Sequence, residues 1–281
     1  MKRKVLILGF IILFSQVRVC AWDLMSPVGS RTAALGRCSV ALSDFWSIHN
    51  NPAGVALWKD FSAGIAYENR FLMKELGYKN AAVVLPINIG SFGLSVSQFG
   101  YDKYNENKIG IAYARSFGPH LRMGIQLDYL LFKFTGDYTR RSTATFELGI
   151  QSNITDDLCV GVYLFNSIKV KIKSLNNERV PIIMRLGLSY NLTKDFIATC
   201  ELEEDFEKNY QAGLGLEYKA VKNFFIRTGI RTYPNVYCLG IGYSYRWITL
   251  DVAAEIHQIL GVSFQSSLIF RIKEKQRKEA L

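Results

Sequence analysis

Apolar and polar residues alternate along most of the chain from about residue 58 onward. In the segment 196–203 the apolar residues fall on even numbers, whereas Thr199, Glu201 and Glu203 fall on odd numbers. Segments 210–218 and 248–256 show the same period of two. Because successive side chains of a β-strand point to opposite faces, each segment has one apolar face and one polar or small face. The pattern predicts an all-β protein.

The repeated pattern predicts about fourteen strands, an even number that is typical of single-chain outer-membrane barrels. Most of these segments approach the roughly 9–11 residues that a tilted strand needs to cross a bilayer. Their expected centres are Ile65, Val83, Leu94, Ile111, Ile125, Leu148, Val162, Leu186, Ala198, Leu214, Ile226, Leu239, Leu250 and Phe264. The sequence therefore predicts a transmembrane antiparallel β-barrel of about 14 strands.

The connections between these segments alternate in length through the first two thirds of the chain. Short connections are expected at 88–90, 118–119, 155–157 and 193–195, and longer ones at 71–77, 101–107, 135–142 and 166–180. Outer-membrane barrels have tight periplasmic turns and longer outward loops. A soluble sandwich or a periplasmic propeller is the alternative, because both also contain strands of period two.

The residues on the polar face favour the barrel over a soluble fold. Solvent-facing strands are not normally rich in glycine, and a crowded lumen accounts for it where another backbone approaches closely. These glycines are Gly161, Gly187, Gly213, Gly215, Gly229, Gly240 and Gly242. Aromatic residues near strand ends are expected to form interfacial girdles; they are Trp58, Tyr78, Tyr190, Tyr218, Tyr245 and Trp247.

The first residues resemble a secretory signal peptide. Lys2, Arg3 and Lys4 precede an apolar run at 5–14, which is too short for a transmembrane helix. Small residues around Ala21 predict cleavage before Trp22 and export to a bacterial outer membrane. The expected organisation is a signal peptide at 1–21, a non-alternating hatch or plug segment at 22–58, a barrel at 59–272 and a basic tail at 273–281.

The net charge of +10 comes mostly from scattered single residues. No basic face with interleaved aromatics indicates nucleic-acid binding. Scattered Lys and Arg at strand ends suit outer-membrane lipid headgroups and lipopolysaccharide as partners. Four cysteines remain after cleavage, and their spacing demands no disulfide: Cys38, Cys159, Cys200 and Cys238.

The sequence offers no catalytic, metal or cofactor motif, so we expect a protein that is not an enzyme and has no cofactor. A lipid hydrolase that uses Ser263 or Ser266 with His257 is a remote alternative, because no GxSxG-type context accompanies them. His49 is expected to be a polar turn residue.

The remaining candidate functional residues are the charged residues on the polar face of the predicted strands. They are Arg122, Asp128, Glu147, Arg185, Glu201, Glu203, Arg227, Arg231, Asp251 and Glu255. One hypothesis is a salt-bridged lumen that holds the hatch, and the other is a selective pathway lined by these groups.

A small-residue motif precedes the first strand. It comprises Gly29, Arg31, Gly36 and Asp44, followed by Asn50, Asn51, Pro52, Ala53 and Gly54. With these residues and a closing strand at 261–270, the chain resembles the FadL-like outer-membrane barrels, most closely their PorV/PorQ-like branch. The resemblance implies a fourteen-stranded barrel with residues 50–54 in a hatch inside the lumen, where they would occlude or gate it.

Two functions follow from this resemblance. The main hypothesis is a PorV/PorQ-type barrel that acts in protein export or surface display as a type IX secretion accessory, bound to secretion-system proteins. The alternative is a FadL-like transporter of small hydrophobic molecules such as fatty acids, with a lateral opening where strands in the N-terminal third kink. The short outer loops argue against fatty-acid uptake more strongly than they argue against the barrel fold.

Overall fold

The computed structural model describes residues 24–134, 140–168, 180–205 and 210–272. The signal peptide at 1–21, the cleavage before Trp22 and the basic tail at 273–281 lie outside these residues and stay predictions. No helix in the described ranges is long and apolar enough to cross a membrane.

Fourteen β-strands account for most of the described chain. They are β1 Phe61–Asn69, β2 Gly77–Ile87, β3 Gly90–Tyr101, β4 Tyr104–Phe117, β5 Leu121–Phe134, β6 Arg140–Asn153, β7 Leu158–Phe165, β8 Ile183–Thr193, β9 Phe196–Asp205, β10 Gln211–Val221, β11 Phe224–Arg231, β12 Val236–Tyr245, β13 Ile248–His257 and β14 Gly261–Ile272. Every predicted strand centre lies inside one of these strands, so the predicted number of strands is confirmed.

The segment before β1 contains short helices. They are α1 Ser30–Ala34, α2 Ser47–Asn50 and a 3-10 helix at Pro52–Leu57. Two further 3-10 turns, Arg70–Leu72 and Lys74–Leu76, connect β1 to β2.

The sheet closes on itself. Each strand pairs antiparallel with its neighbours, and β1 pairs with β14 from Phe61 opposite Ile272 to Asn69 opposite Phe264. Closure provides hydrogen-bond partners for the backbone of both strands that would otherwise be edges, which a bilayer requires. The alternative of a soluble sandwich or propeller is therefore wrong.

The two faces of the barrel wall have opposite chemistry. The outward side chains of Ile65, Ile111 and Leu127 are 58%, 61% and 64% exposed, whereas the inward side chains of Gln126 and Glu147 are 0% exposed. A protein in water would bury the first set and expose the second. An apolar exterior around a polar interior is the arrangement that spans a bilayer.

The two rims of the barrel differ in the length of their connections. Turns of two to four residues, such as 88–89, 118–120 and 154–157, lie on the rim where the barrel begins and ends; we call it the turn rim. The opposite rim, which we call the loop rim, carries the seven-residue connection 70–76 and the connection from β7 to β8, together with short turns such as 258–260. By the usual asymmetry of such barrels, we expect the loop rim to face outward.

The prediction of a longer connection at 101–107 is wrong. β3 and β4 stay paired up to Tyr101 opposite Tyr104, which leaves a turn of two residues. The polar run in this segment resembles a loop in sequence, but Glu106 and Lys108 face the lumen, where their charges are buried.

The predicted girdle is confirmed at the turn rim and wrong at two positions. The exposed aromatic side chains there are Tyr190, Tyr218, Tyr245 and Trp247. Tyr78 instead occupies an inward phase, is 1% exposed and donates a hydrogen bond from its hydroxyl to the Leu24 carbonyl oxygen at 3.0 Å. Trp58 packs against the buried core and donates from Nε1 to Ser62 Oγ at 2.8 Å.

Candidate functional site

Residues 24–57, which we call the hatch, lie inside the barrel. Phe45, Trp46 and Ile48 are at most 1% exposed, and they belong to a core cluster that includes wall residues. The first part of the hatch packs against one side of the barrel, where α1 contacts β11 to β14. The last part packs against the opposite side, where the 3-10 helix contacts β3 to β6. The hatch therefore spans the lumen.

Glycines of the wall allow the hatch backbone to approach closely. A Cβ atom at Gly229 would lie 2.3 Å from the backbone nitrogen of Gly36, and one at Gly161 would lie 2.3 Å from the Val40 carbonyl oxygen. The predicted close approach of another backbone is confirmed at five of the seven lumen glycines, namely Gly161, Gly187, Gly213, Gly215 and Gly229, whereas Gly240 meets the Ala34 side chain. Gly242 instead faces the side chains of Arg227 and Asp251.

Two asparagines fasten the hatch to itself and to the wall. Asn50 accepts a hydrogen bond from the Val28 N–H at 2.7 Å and donates to the Val28 carbonyl oxygen at 2.9 Å. Asn51 donates to the Val40 carbonyl oxygen at 2.7 Å and to the wall carbonyl of Val162 at 3.3 Å. Asn51 also accepts from the Ala53 N–H and so caps the 3-10 helix.

The other residues of the motif support this packing. Gly29 precedes α1 with φ of 104°, and a Cβ there would lie 2.6 Å from the Trp46 ring. Gly54 packs against the Ser47 side chain, while Pro52 and Ala53 are buried on the wall glycine Gly124. All the predicted motif residues therefore lie within the lumen; their gating role stays a prediction.

Arg31 connects the hatch to the wall through a chain of ion pairs. Its guanidinium donates to both carboxylate oxygens of Glu217 at 2.8 Å and to Asp44 at 3.0 Å. Glu217 also accepts from Arg227 at 2.5 Å, and Arg227 donates to Asp251 at 2.6 Å. Bidentate arginine–carboxylate pairs fix orientation as well as charge, so this chain sets the position of α1.

Arg37 forms a second connection nearer the loop rim. It donates to Glu255 at 2.8 and 2.6 Å and to Glu68 at 2.8 Å, and Arg70 donates to the same Glu68 at 2.9 Å. The Arg37, Glu68 and Glu255 side chains are at most 9% exposed. Removing one partner of a buried ion pair typically costs about 3–5 kcal/mol, because the other charge stays buried without a counterion.

Most of the remaining predicted lumen charges contact the hatch or a polar side chain of the wall, whereas Arg231 Nε has no hydrogen-bond partner among the described residues. Glu201 accepts from the hatch N–H groups of Ser39 and Val40 at 2.6 and 2.8 Å. Arg185 donates to Glu203 at 2.6 Å and to the hatch carbonyl of Met25 at 2.5 Å. The other contacts are Lys108 with Glu147 at 2.8 Å, Gln126 with Asp128 at 2.8 Å, and Arg122 with Asn153 at 2.7 Å.

The inward phase of all ten predicted charges is thus observed, and the contacts fit a salt-bridged lumen. Sequence reasoning missed Arg37, Glu68, Arg70 and Lys108. The strand phase could have revealed Glu68 and Lys108, which share the inward phase of β1 and β4. Arg37 lies outside any alternating segment, so no periodic signal identifies it.

His49, which was expected to be a polar turn residue, instead lies in α2 and is buried. Its Nδ1 lies 3.4 Å from Ser97 Oγ on the wall. Burial, together with the nearby Lys108 ammonium, lowers the pKa of His49 to about 3. His49 is therefore neutral throughout the physiological range.

The serine–histidine set lacks the geometry of a hydrolase. His257 Nδ1 accepts backbone N–H groups of Ile259 and Leu260, each at 3.0 Å, and Ser263 Oγ accepts the Phe71 N–H at 3.1 Å. Ser263 faces the lumen and Ser266 faces outward, so they lie on opposite sides of the wall. The described residues show no hydrogen bond from either serine to His257, which a nucleophile and its base require.

A cavity of about 280 Å³, which we call the vestibule, lies between the hatch and the loop rim. Hatch residues Met25, Pro27 and Arg37 line its inner end. Wall residues surround it with mixed chemistry. The apolar ones include Phe71, Leu76, Ile183, Pro234, Val236 and Leu260, and the charged ones are Glu68, Arg70, Glu201, Glu203, Asp205, Arg231 and Glu255. The vestibule is thus half apolar and ends on the hatch.

The wall shows no opening in the N-terminal third. β1, β2 and β3 pair without a register shift, and within the described strands the register shifts lie at 191–193 and 219–221. The lateral opening that the transporter hypothesis predicts there is therefore not observed in the described strands, and the kink stays a prediction. The four described cysteines form no disulfide, and no group of three metal-binding side chains occurs in the described ranges.

Comparisons with known proteins support the fold. No family model matches the chain, and no curated protein matches it. The Pseudomonas putida toluene transporter TodX matches with a TM-score of 0.69 at 9% identity over 88% of this chain and 98% of that one. The Ralstonia pickettii toluene transporter TbuX matches with 0.65 at 12% identity over 89% and 99%.

A Pseudomonas aeruginosa FadL homologue matches with a TM-score of 0.66 at 11% identity, over 86% of this chain and 98% of that one. Identities this low bear on architecture alone, and they do not distinguish a PorV/PorQ branch. The chain therefore has the fold of the FadL-type outer-membrane barrels.

Proposed function

We propose that this protein is a bacterial outer-membrane channel for small hydrophobic molecules, with a hatch that controls passage. The proposal rests on the vestibule, which is half apolar, opens at the loop rim and ends on the hatch, a segment that is held partly by ion pairs. Two of the similar solved structures are toluene transporters, so toluene is a suitable first substrate. The outward apolar belt supports the membrane location.

Passage requires that the hatch move, because it fills the lumen below the vestibule. Arg31 and Arg37 hold the first part of the hatch, residues 24–44, through carboxylates of the wall. We infer that displacement of this part opens the path. The chemistry of transport needs no catalytic group, and we infer a non-enzymatic role.

Toluene uptake into cells that express the protein tests the proposal. Leu260→Trp narrows the vestibule, and uptake should fall severalfold. Ile259→Trp in the same turn is the matched control, since Ile259 is 88% exposed and does not line the vestibule. Uptake equal to that of cells without the protein, or equal losses in both variants, would contradict the proposal.

A PorV/PorQ-type role in protein export is the second candidate. One observation favours it: the lumen is filled by buried ion pairs, as in a closed scaffold that binds partners through its rim. Deleting the gene should then impair surface display of exported proteins while toluene uptake stays unchanged.

A further inference from the structure

A groove of about 480 Å³ runs along the outer surface of the wall, across β1 and its neighbours. Its floor consists of small inward residues, Ala66 and Ser267, beside Asn80. The volume lies within the range of about 300–1,000 Å³ that is usual for small-molecule sites. This groove is separate from the lumen, because the strands beneath it are paired without interruption.

Strand register divides the groove into two parallel rows. The apolar row runs through directly paired residues on the outward face: Leu250, Leu268, Ile65, Ala81 and Val96. Ala81 has the smallest side chain in this row, which leaves room between its larger neighbours. The row can therefore hold an acyl chain along the wall.

The second row is polar and lies one outward position nearer the loop rim. It runs through Ser266, Tyr67, Lys79 and Gln98, which are paired in that order across β14, β1, β2 and β3. Lys79 is the only charged residue among the outward positions of β1, β2, β3, β13 and β14, all of which are fully described. No described carboxylate forms an ion pair with it.

The position of Lys79 suits a lipid headgroup. It lies two residues from the loop-rim end of β2, where its aliphatic stem can follow the wall and its ammonium can reach the interface. A lysine ammonium offers three hydrogen-bond donors, and the neighbouring tyrosine hydroxyl and glutamine amide offer more. A phosphate suits such a set of donors, because its oxygens can accept hydrogen bonds from several of them at once.

We propose that this groove is a specific binding site for an anionic phospholipid-type molecule of the outward leaflet. The phosphate binds Lys79 beside Tyr67 and Gln98, and an acyl chain lies along Ile65, Ala81 and Leu268. A lipid is the occupant because the groove opens onto the hydrocarbon region, which lipid chains fill. The site is independent of transport through the lumen.

Native mass spectrometry of the full-length barrel, titrated with phosphatidylglycerol or phosphatidylcholine, tests the proposal. The wild type should retain one phosphatidylglycerol in preference to phosphatidylcholine. Lys79→Gln should weaken phosphatidylglycerol binding about fivefold, since one interfacial lysine contributes about 1 kcal/mol. Lys133→Gln is the matched control, because Lys133 is an exposed lysine at the loop-rim end of β5, outside the groove.

A second pair of variants tests the acyl row without changing charge. Ala81→Leu fills the groove and should reduce retention of both lipids, whereas Val83→Leu, which is outward on the same strand but outside the groove, should not. Heat-dependent gel mobility verifies that each variant folds. Equal retention of the two lipids by the wild type would overturn the proposal, as would unchanged binding in Lys79→Gln or in Ala81→Leu. A dimer that retains no lipid would also overturn it.

Discussion

The two parts of the hatch are held to opposite sides of the barrel by different forces. Residues 24–44 also pack closely on wall glycines, but they form ion pairs with β10, β13 and β1 through Arg31 and Arg37, each of which bonds two carboxylates. Residues 45–57 contact β3 to β6 through apolar side chains and close backbone approach, as where Ile48 meets Gly93. Ion pairs can exchange for water when they separate, whereas packed apolar groups cannot. We call residues 24–44 the charged part and residues 45–57 the packed part. The charged part is therefore the one suited to move.

Removing the whole hatch should give the largest effect. Deletion of residues 22–57 leaves the lumen without its filling, so conductance in planar bilayers should rise by an order of magnitude or more. The barrel should keep its heat-dependent gel mobility, because all fourteen strand pairs lie outside the deletion. Unchanged conductance in a folded variant would mean that the hatch does not occlude the lumen.

Releasing the charged part alone should give the next largest effect. Arg37→Met leaves Glu68 and Glu255 buried without this partner, at a cost of about 3–5 kcal/mol. In a variant that keeps Cys38 and replaces Cys159, Cys200 and Cys238 by Ala, maleimide labelling of Cys38 should become more than tenfold faster. Arg115→Met is the control, because Arg115 lies over Phe117 on the outer wall. If labelling is equally slow in both variants, the ion pairs do not hold this part.

Weakening the packed part should destabilise the hatch without opening it. Ile48 is fully buried, so Ile48→Ala should cost about 2–5 kcal/mol through lost packing. The thermal unfolding midpoint should fall, while the rate of Cys38 labelling at room temperature stays near that of the parent. An increase in labelling as large as that of Arg37→Met would remove the distinction between the two parts.

Acid should weaken the packed part through His49. Because burial lowers the pKa of His49 to about 3, an exposed His49 in the unfolded state binds a proton that the folded state excludes. Stability should therefore fall as the pH falls from about 6.5 toward 3. Unfolding midpoints at pH 7 and pH 4.5 should differ more for the wild type than for His49→Gln. An identical difference in both proteins would contradict the burial of a neutral His49.

The wall was predictable in detail because its chemistry is local. A period of two, read from residues such as Thr199 and Glu201, fixes which side chains face inward whatever the partner strand is. The prediction for Tyr78 was wrong because its aromatic character was given more weight than its inward phase, which the same rule indicates. The connection at 101–107 was misjudged for a related reason: polarity indicates a loop in a soluble protein but not in a charged lumen.

The sequence by itself determined the strand number, the two chemically different faces and the small residues on which the hatch rests. These features follow from local periodicity and from steric space. The tertiary structure alone decided which carboxylates bind Arg31 and Arg37, because their partners Glu217 and Glu255 lie 186 and 218 residues away in the chain. Barrel closure and register bring these groups together, and no short-range pattern encodes a distance that depends on fourteen paired strands.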